Sequence, residues 1–245
     1  MKRHVGLLLV TLLIIGCAGG SKTEKKEISK EEHFQVAFAA AQRGNLDEAV
    51  SEYRQVINLD PKHAVAHLNL GMVYGRQGKL KDEISEYRKA LSIDPDFAQA
   101  YFHLGVAYYE QGNLDEAERQ YQKAIQTNPN YVEAHTNLGN IYFRKNKLEE
   151  ALAEYNKTIE IKPDYAQGQF NRGSTYLRQN KPEEAIESFQ RALEINPKYA
   201  QAHYYLAWIY YKKEDYKRAI AHVDLAGKLG IVPDPLFLEK LKPYR

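Results

Sequence analysis

Cysteine is almost missing from this 245-residue chain. The single one, Cys17, rules out an intrachain disulfide framework and a zinc site built on cysteines. A surplus of positive charge is missing too: 34 Lys and Arg stand against 32 Asp and Glu, and Lys2 and Arg3 account for the difference. Nucleic-acid binding needs a basic excess that displaces counterions from phosphate, so no nucleic-acid partner is expected. No apolar run is long enough to span a bilayer, because Val5–Ile15 is about half of the roughly 20 residues required. There is no Gly-rich phosphate loop and no Gly-x-Ser-x-Gly elbow, and the serines and acidic pairs fall within a periodic pattern where helix-terminus and surface roles explain them. Neither a catalytic residue nor a cofactor is expected. What is present, 44% hydrophobic and 27% charged residues, is the mixture of a folded globular chain.

The first thirty residues differ from the rest. Met1–His4 is short and basic, Val5–Ile15 is apolar, and Ile14-Ile15-Gly16-Cys17 places a small residue before the cysteine. This order resembles a bacterial lipoprotein signal. The resemblance implies that residues 1–16 are removed, that Cys17 carries a diacylglycerol and an N-acyl chain, and that the polar stretch 17–29 is a flexible tether. An uncleaved anchor or a buried core cysteine is the alternative. Ala18, where such proteins carry Asp when held at the inner membrane, implies the periplasmic face of the outer membrane. With a single membrane, the same signal implies the cell surface.

From Lys30 onward a period of 34 dominates. Pro61, Pro95, Pro129, Pro163 and Pro197 keep it, as do Gly71, Gly105, Gly139 and Gly173. Tyr74, Tyr108, Tyr142, Tyr176 and Tyr210 form a further series; Tyr53, Tyr87, Tyr121, Tyr155 and Phe189 another; Ala49, Ala117, Ala151, Ala185 and Ala219 a last one. Each unit reads as two helices, with apolar residues at three- and four-residue steps. Gly44, Gly78, Gly112 and Asn146 supply left-handed ends for the first helices. Pro182 falls in the first turn of a second helix, where its missing N–H costs little. Asp164 is placed to cap a following first helix. No pair buries its apolar side alone, so the pairs must stack.

The segments AHLNLGMVYGRQGKLKDEISEYRKALSIDP and AHTNLGNIYFRKNKLEEALAEYNKTIEIKP resemble the tetratricopeptide repeat. That resemblance implies an all-α, right-handed superhelix of six helix-turn-helix units at 30–63, 64–97, 98–131, 132–165, 166–199 and 200–233, closed by a capping helix in 234–245. Leu236, Phe237, Leu238 and Leu241 are expected to cover the exposed end. Glu83 stands where other units have Ala, and Arg172 where others have Leu; both are expected to lie along the surface with the charge in water.

By the family's phasing the first helices line a concave groove for a protein or peptide partner. Candidate contacts are Asn69, Phe102, His103, Tyr109, Asn137, Asn140, Phe143, Arg144, Phe170, Asn171 and Arg178. Asn69, Asn137 and Asn171 resemble the backbone-holding asparagine ladder of O-linked N-acetylglucosamine transferase repeats, the alternative being solvated surface residues. The aromatic rows read either as partner anchors or as packing between first helices. Arg76, Arg144, Arg178 and Lys212 form a basic edge, either a solvated rim or a receiver for an acidic segment. His33, His67, His135 and His203 share one position and are expected to pack, not to bind metal. The implied function is a non-catalytic scaffold in the cell envelope, of the kind that serves type IV pilus assembly, an envelope hydrolase or a protease. Self-association into a structural component is the other class, and the oligomeric state stays open.

Overall fold

The computed structural model describes residues 28–245. The signal segment, Cys17 and the tether up to residue 27 lie outside the described residues. Among the described residues there are thirteen α-helices and no strand. They form six antiparallel pairs: α1 (Lys30–Arg43) with α2 (Leu46–Leu59), α3 (Ala64–Arg76) with α4 (Leu80–Ile93), and α5 (Ala98–Glu110) with α6 (Leu114–Thr127). Then come α7 (Val132–Arg144) with α8 (Leu148–Ile161), α9 (Ala166–Arg178) with α10 (Pro182–Ile195), and α11 (Ala200–Lys212) with α12 (Tyr216–Lys228). Each second helix also packs on the first helix of the next unit, so the pairs stack as a solenoid.

The turns within the pairs follow one scheme. A left-handed residue ends each first helix: Gly44, Gly78, Gly112 and Asn146 as expected, and also Asn180 and Glu214. The next N–H reaches back five residues, as in Lys79 N to Tyr74 O and Lys147 N to Tyr142 O, both 2.9 Å, which satisfies a helix-end carbonyl. Pro182 opens α10. Asp164 does not cap α9. Tyr165 holds the cap position with no side-chain hydrogen bond, because the turn after Pro163 is one residue longer than the expected cap allows.

Close approach inside each pair explains the glycine series. A Cβ on Gly139 would stand 2.7 Å from Tyr155 Cε1, and Gly71, Gly105 and Gly173 meet Tyr87, Tyr121 and Phe189 the same way. The small Ala series is fully buried beside them. Glu83, the exception in that series, is 6% exposed instead of lying in water. Its carboxylate fits under Gly75, where a Cβ would lie 2.7 Å from Glu83 Oε1, and it accepts from Tyr87 OH at 3.2 Å. Burial pushes its pKa up. Arg172 is half-buried, its Nε donating to Ser188 Oγ at 3.1 Å.

Polar contacts repeat with the same period. His33, His67 and His135 each place Nδ1 within 2.6 Å of a glutamate nineteen residues on, Glu52, Glu86 and Glu154. His203 meets His222 instead, Nδ1 to Nδ1 at 2.9 Å. Thirty residues apart, Gln77 donates to Asp47, Lys145 to Asp115, Gln179 to Glu149 and Lys213 to Glu183, tying neighbouring units together. The core changes character between units four and five, where the polar residues Thr136, Thr158, Gln169, Thr175 and Ser188 are buried beside the apolar ones. Gln169 Oε1 has no hydrogen-bond partner there.

The chain closes with α13 (Pro235–Leu241), whose Asp234 side chain accepts from Leu236 N. Phe237 and Leu241 are fully buried, and Phe237 stacks on Trp208 with ring centroids 3.9 Å apart. Leu236 faces outward at 71% exposure, since a helix of seven residues presents only one face to the stack.

Candidate functional site: the groove along the first helices

Three depressions open along the row of first helices. One, of about 190 Å³, lies between units one and two and includes Phe38, Asn69, Met72 and Arg76. A second, of about 240 Å³, is bounded by Val106, Tyr109, Glu110, Asn137 and Asn140. The third, of about 290 Å³, runs across units three to six between Tyr109, Asn140, Phe143, Arg144, Phe170 and Asn171. Eight of the eleven candidate contacts therefore line depressions. Phe102, His103 and Arg178 line none of the three.

Those three serve packing for identifiable reasons. Phe102 meets Tyr131 at 4.9 Å between ring centroids and His103 at 5.3 Å, so its ring is half-buried between units. His103 stacks on Tyr87, and burial pushes its pKa down, which keeps it neutral. Arg178 folds back over Phe143, donating to Phe143 O at 2.9 Å and to Asn146 Oδ1 at 2.7 Å. Arg76 likewise donates to Ala41 O. This part of the basic edge thus satisfies carbonyls that the preceding first helix leaves open. Arg144 makes no such bond; its guanidinium lies 5.1 Å from the Tyr109 ring centre.

The asparagines divide their hydrogen-bonding capacity. Asn137 Nδ2 donates to Tyr121 OH at 3.3 Å, and Asn69 lines the first depression together with Tyr53. Asn140 Oδ1 accepts from Tyr155 OH at 2.8 Å and from Asn171 Nδ2 at 3.1 Å, while Asn171 Oδ1 accepts from Gln167 at 2.7 Å. The amides of Asn137, Asn140 and Asn171 are each fixed by one or two internal bonds, and each has further donor or acceptor capacity beyond them. The aromatic rows split as well. Phe34 and Phe102 pack on His63 and Tyr131, Tyr109 and Phe143 border the open depression, and Phe170 does both, packing on Tyr199 and lining the depression.

The floor of each depression was not among the candidates. Tyr53, Tyr121 and Tyr155, on second helices, reach through the pair to line it. The signal that finds them is the constant sixteen-residue step from Gly105 to Tyr121 and from Gly139 to Tyr155. A ring that passes a glycine reaches the far side of its partner helix. Ser174 and Tyr205 complete the depression across units three to six.

The tetratricopeptide repeat family model matches residues 102–166 and 170–229, and a second TPR repeat model matches 39–78 and 76–112. The chain belongs to the tetratricopeptide repeat family. Several solved structures superpose on it. A MamA protein is 29% identical over 70% of this chain and 94% of its own, with a TM-score of 0.62. YrrB, described as a TPR protein with an unusual peptide-binding site, is 24% identical over 73% and 92%, at 0.61. The pilF structure from Pseudomonas aeruginosa is 21% identical over 88% and 97%, at 0.74, a likeness of fold. Comparison with curated proteins finds no match.

Proposed function

We propose that this tetratricopeptide repeat protein is a lipid-anchored envelope scaffold that holds an extended segment of a partner polypeptide in its first-helix groove. Proteins of this family are generally non-catalytic interaction scaffolds. The observation that carries the groove reading is the depression across units three to six. It combines aromatic walls with amides held in place by Tyr155, Gln167 and each other. Rigid rings bind apolar side chains at low entropic cost, and pre-oriented amides match the alternating donors and acceptors of an extended backbone. Support for the anchor is the order of residues around Cys17, which resembles a lipoprotein signal. Together these describe a part of an envelope machine, such as a type IV pilus assembly apparatus, at the periplasmic face of the outer membrane.

Two measurements test the reading. Cys17→Ser is expected to release the protein from the membrane fraction, and unchanged partitioning would refute the anchor. A photo-crosslinking residue at Phe143, irradiated in intact cells, is expected to capture another polypeptide, and the Asn137→Ala/Asn171→Ala pair is expected to reduce the yield without lowering the melting temperature. Capture of a second copy of this chain alone would replace the adaptor by a self-associating structural component.

A further inference from the structure

Among the described residues, some surface cations are paired with carboxylates and others, such as Lys62 and Lys81, are not; those along one edge of the groove are set apart by sharing one repeated helix position. Lys145, Lys213, Arg218 and Arg245 are each paired with a carboxylate. Arg144, Arg178 and Lys212, at the last position of α7, α9 and α11, have no salt-bridge partner among the described residues. Arg178 is partly spent on Phe143 O and Asn146 Oδ1, while Arg144 and Lys212 are exposed. The same position in unit three is Glu110, also exposed and also without a cation. The only acid on the groove side of α7, Glu133, sits at the other end of that helix, roughly 16 Å from Arg144 along the axis. The uncompensated positive charge thus forms a track over units four to six, beside the aromatic depression, and stops at unit three.

We infer that this track selects an acidic partner: an extended segment with carboxylates at every third residue and an aliphatic or aromatic side chain between them. The inference rests on the groove reading above and deepens it by naming the partner's chemistry. Neighbouring first helices lie roughly 10 Å apart, and a segment in the extended polyproline II form advances roughly 3.1 Å per residue with three residues per turn, which keeps every third side chain on one face. Carboxylates three residues apart therefore meet Arg144, Arg178 and Lys212 in turn, while the intervening apolar side chain enters the depression between Phe143 and Phe170. One chain-terminal carboxylate would leave two of the three cations unmatched, so the track fits acidic side chains within a segment. Three residues further on, Glu110 favours a cation and sets the direction in which the segment lies.

The test uses the full chain in detergent micelles and three fluorescein-labelled peptides. One spaces three Glu at every third residue with Leu between; the second has the same composition with the Glu contiguous; the third replaces Glu by Lys. The spaced peptide is expected to bind about tenfold more tightly than the contiguous one and to weaken steeply with salt, with no measurable binding of the Lys peptide. Arg144→Glu and Lys212→Glu are each expected to weaken the spaced peptide about tenfold, with melting unchanged because both side chains are exposed. Should Arg144→Glu melt lower, Arg144→Gln supplies the same comparison without charge reversal. Equal binding of the Glu and Lys peptides, equal binding of the two Glu peptides, or full affinity in the variants overturns the acidic specificity. If no peptide binds while Phe143 still crosslinks to a partner in cells, the acidic specificity fails alone. If both are silent, the groove reading fails with it.

Discussion

Gly139→Ala adds one methyl group where the structure has room for none. The new Cβ would stand 2.7 Å from Tyr155 Cε1, 2.9 Å from Cδ1 and 3.1 Å from Cζ, against an ordinary carbon–carbon contact of about 3.5–4.0 Å. The ring has little freedom to retreat. Tyr155 is 2% exposed, and its hydroxyl is held by Asn140 Oδ1 at 2.8 Å. Overpacking of this kind costs about 1–3 kcal/mol. Because the ring is buried and held, the cost here belongs to the upper part of that range, about 2–3 kcal/mol; alanine gains about 1 kcal/mol of helix propensity over glycine, so the expected net loss is about 1–2 kcal/mol. For a chain of this length that lowers the melting temperature by roughly 2–8 °C. Because each unit touches only its neighbours, the loss should be local, with faster amide hydrogen exchange in α7 and α8 and little change in α1 and α2. Tyr155→Leu made in the Gly139→Ala background should recover part of the loss, giving a coupling energy of about 0.5–3 kcal/mol. If Gly139→Ala is as stable as the parent, the ring can move aside. The glycine series would then need an explanation other than close approach.

The remaining predictions concern places where the period breaks. His222 is half-buried beside His203 and near Arg218, and its desolvation and the two neighbouring charges bring its pKa down to about 4. The folded state therefore binds fewer protons than the unfolded one, and α12 should lose hydrogen-exchange protection as the pH falls from about 6.5 toward about 4. His222→Phe, which keeps the ring stacked on Tyr210, should remove that acid sensitivity; an unchanged pH profile would exclude His222 as its source. His135 has the opposite sign. Burial lowers its pKa, but hydrogen bonds to Glu154 and to the Pro129 carbonyl outweigh this and raise it, so its contribution is present in acid and lost as the pH rises through the folded value. Gln169→Leu removes a buried carbonyl oxygen without a partner and should raise stability by about 1 kcal/mol in urea unfolding. Glu214→Gly relieves a left-handed residue at φ 60° and should stabilise unit six by about 0.5–1 kcal/mol, since its neighbours in the other turns are Gly or Asn. A destabilised Glu214→Gly would mean that the side chain contributes more than the strain costs.

The 34-residue period determined most of the architecture by itself. Once Gly71, Gly105, Gly139 and Gly173 are aligned with the proline and tyrosine series, the helix pairs, their left-handed ends and the stacking follow, because each unit lacks a core of its own. The cap was legible from Phe237 and Leu241 at helical spacing after a break in the period. What sequence order left undecided was how each groove residue spends its bonds. Asn137 and His103 occupy the same position in their units, yet one is held by a tyrosine hydroxyl and the other stacks on a tyrosine ring. Glu83 looked like a surface carboxylate, and only the missing side chain at Gly75, on the partner helix, shows where it goes. Arg144 and Arg178 are equivalent by phase, and only the Asn146 side chain beside Phe143 separates a bound guanidinium from a free one. Periodicity reports which face a residue lies on, because that depends on the backbone repeat alone. Whether its polar atoms remain available depends on side chains from other helices, and those meet only when the units stack.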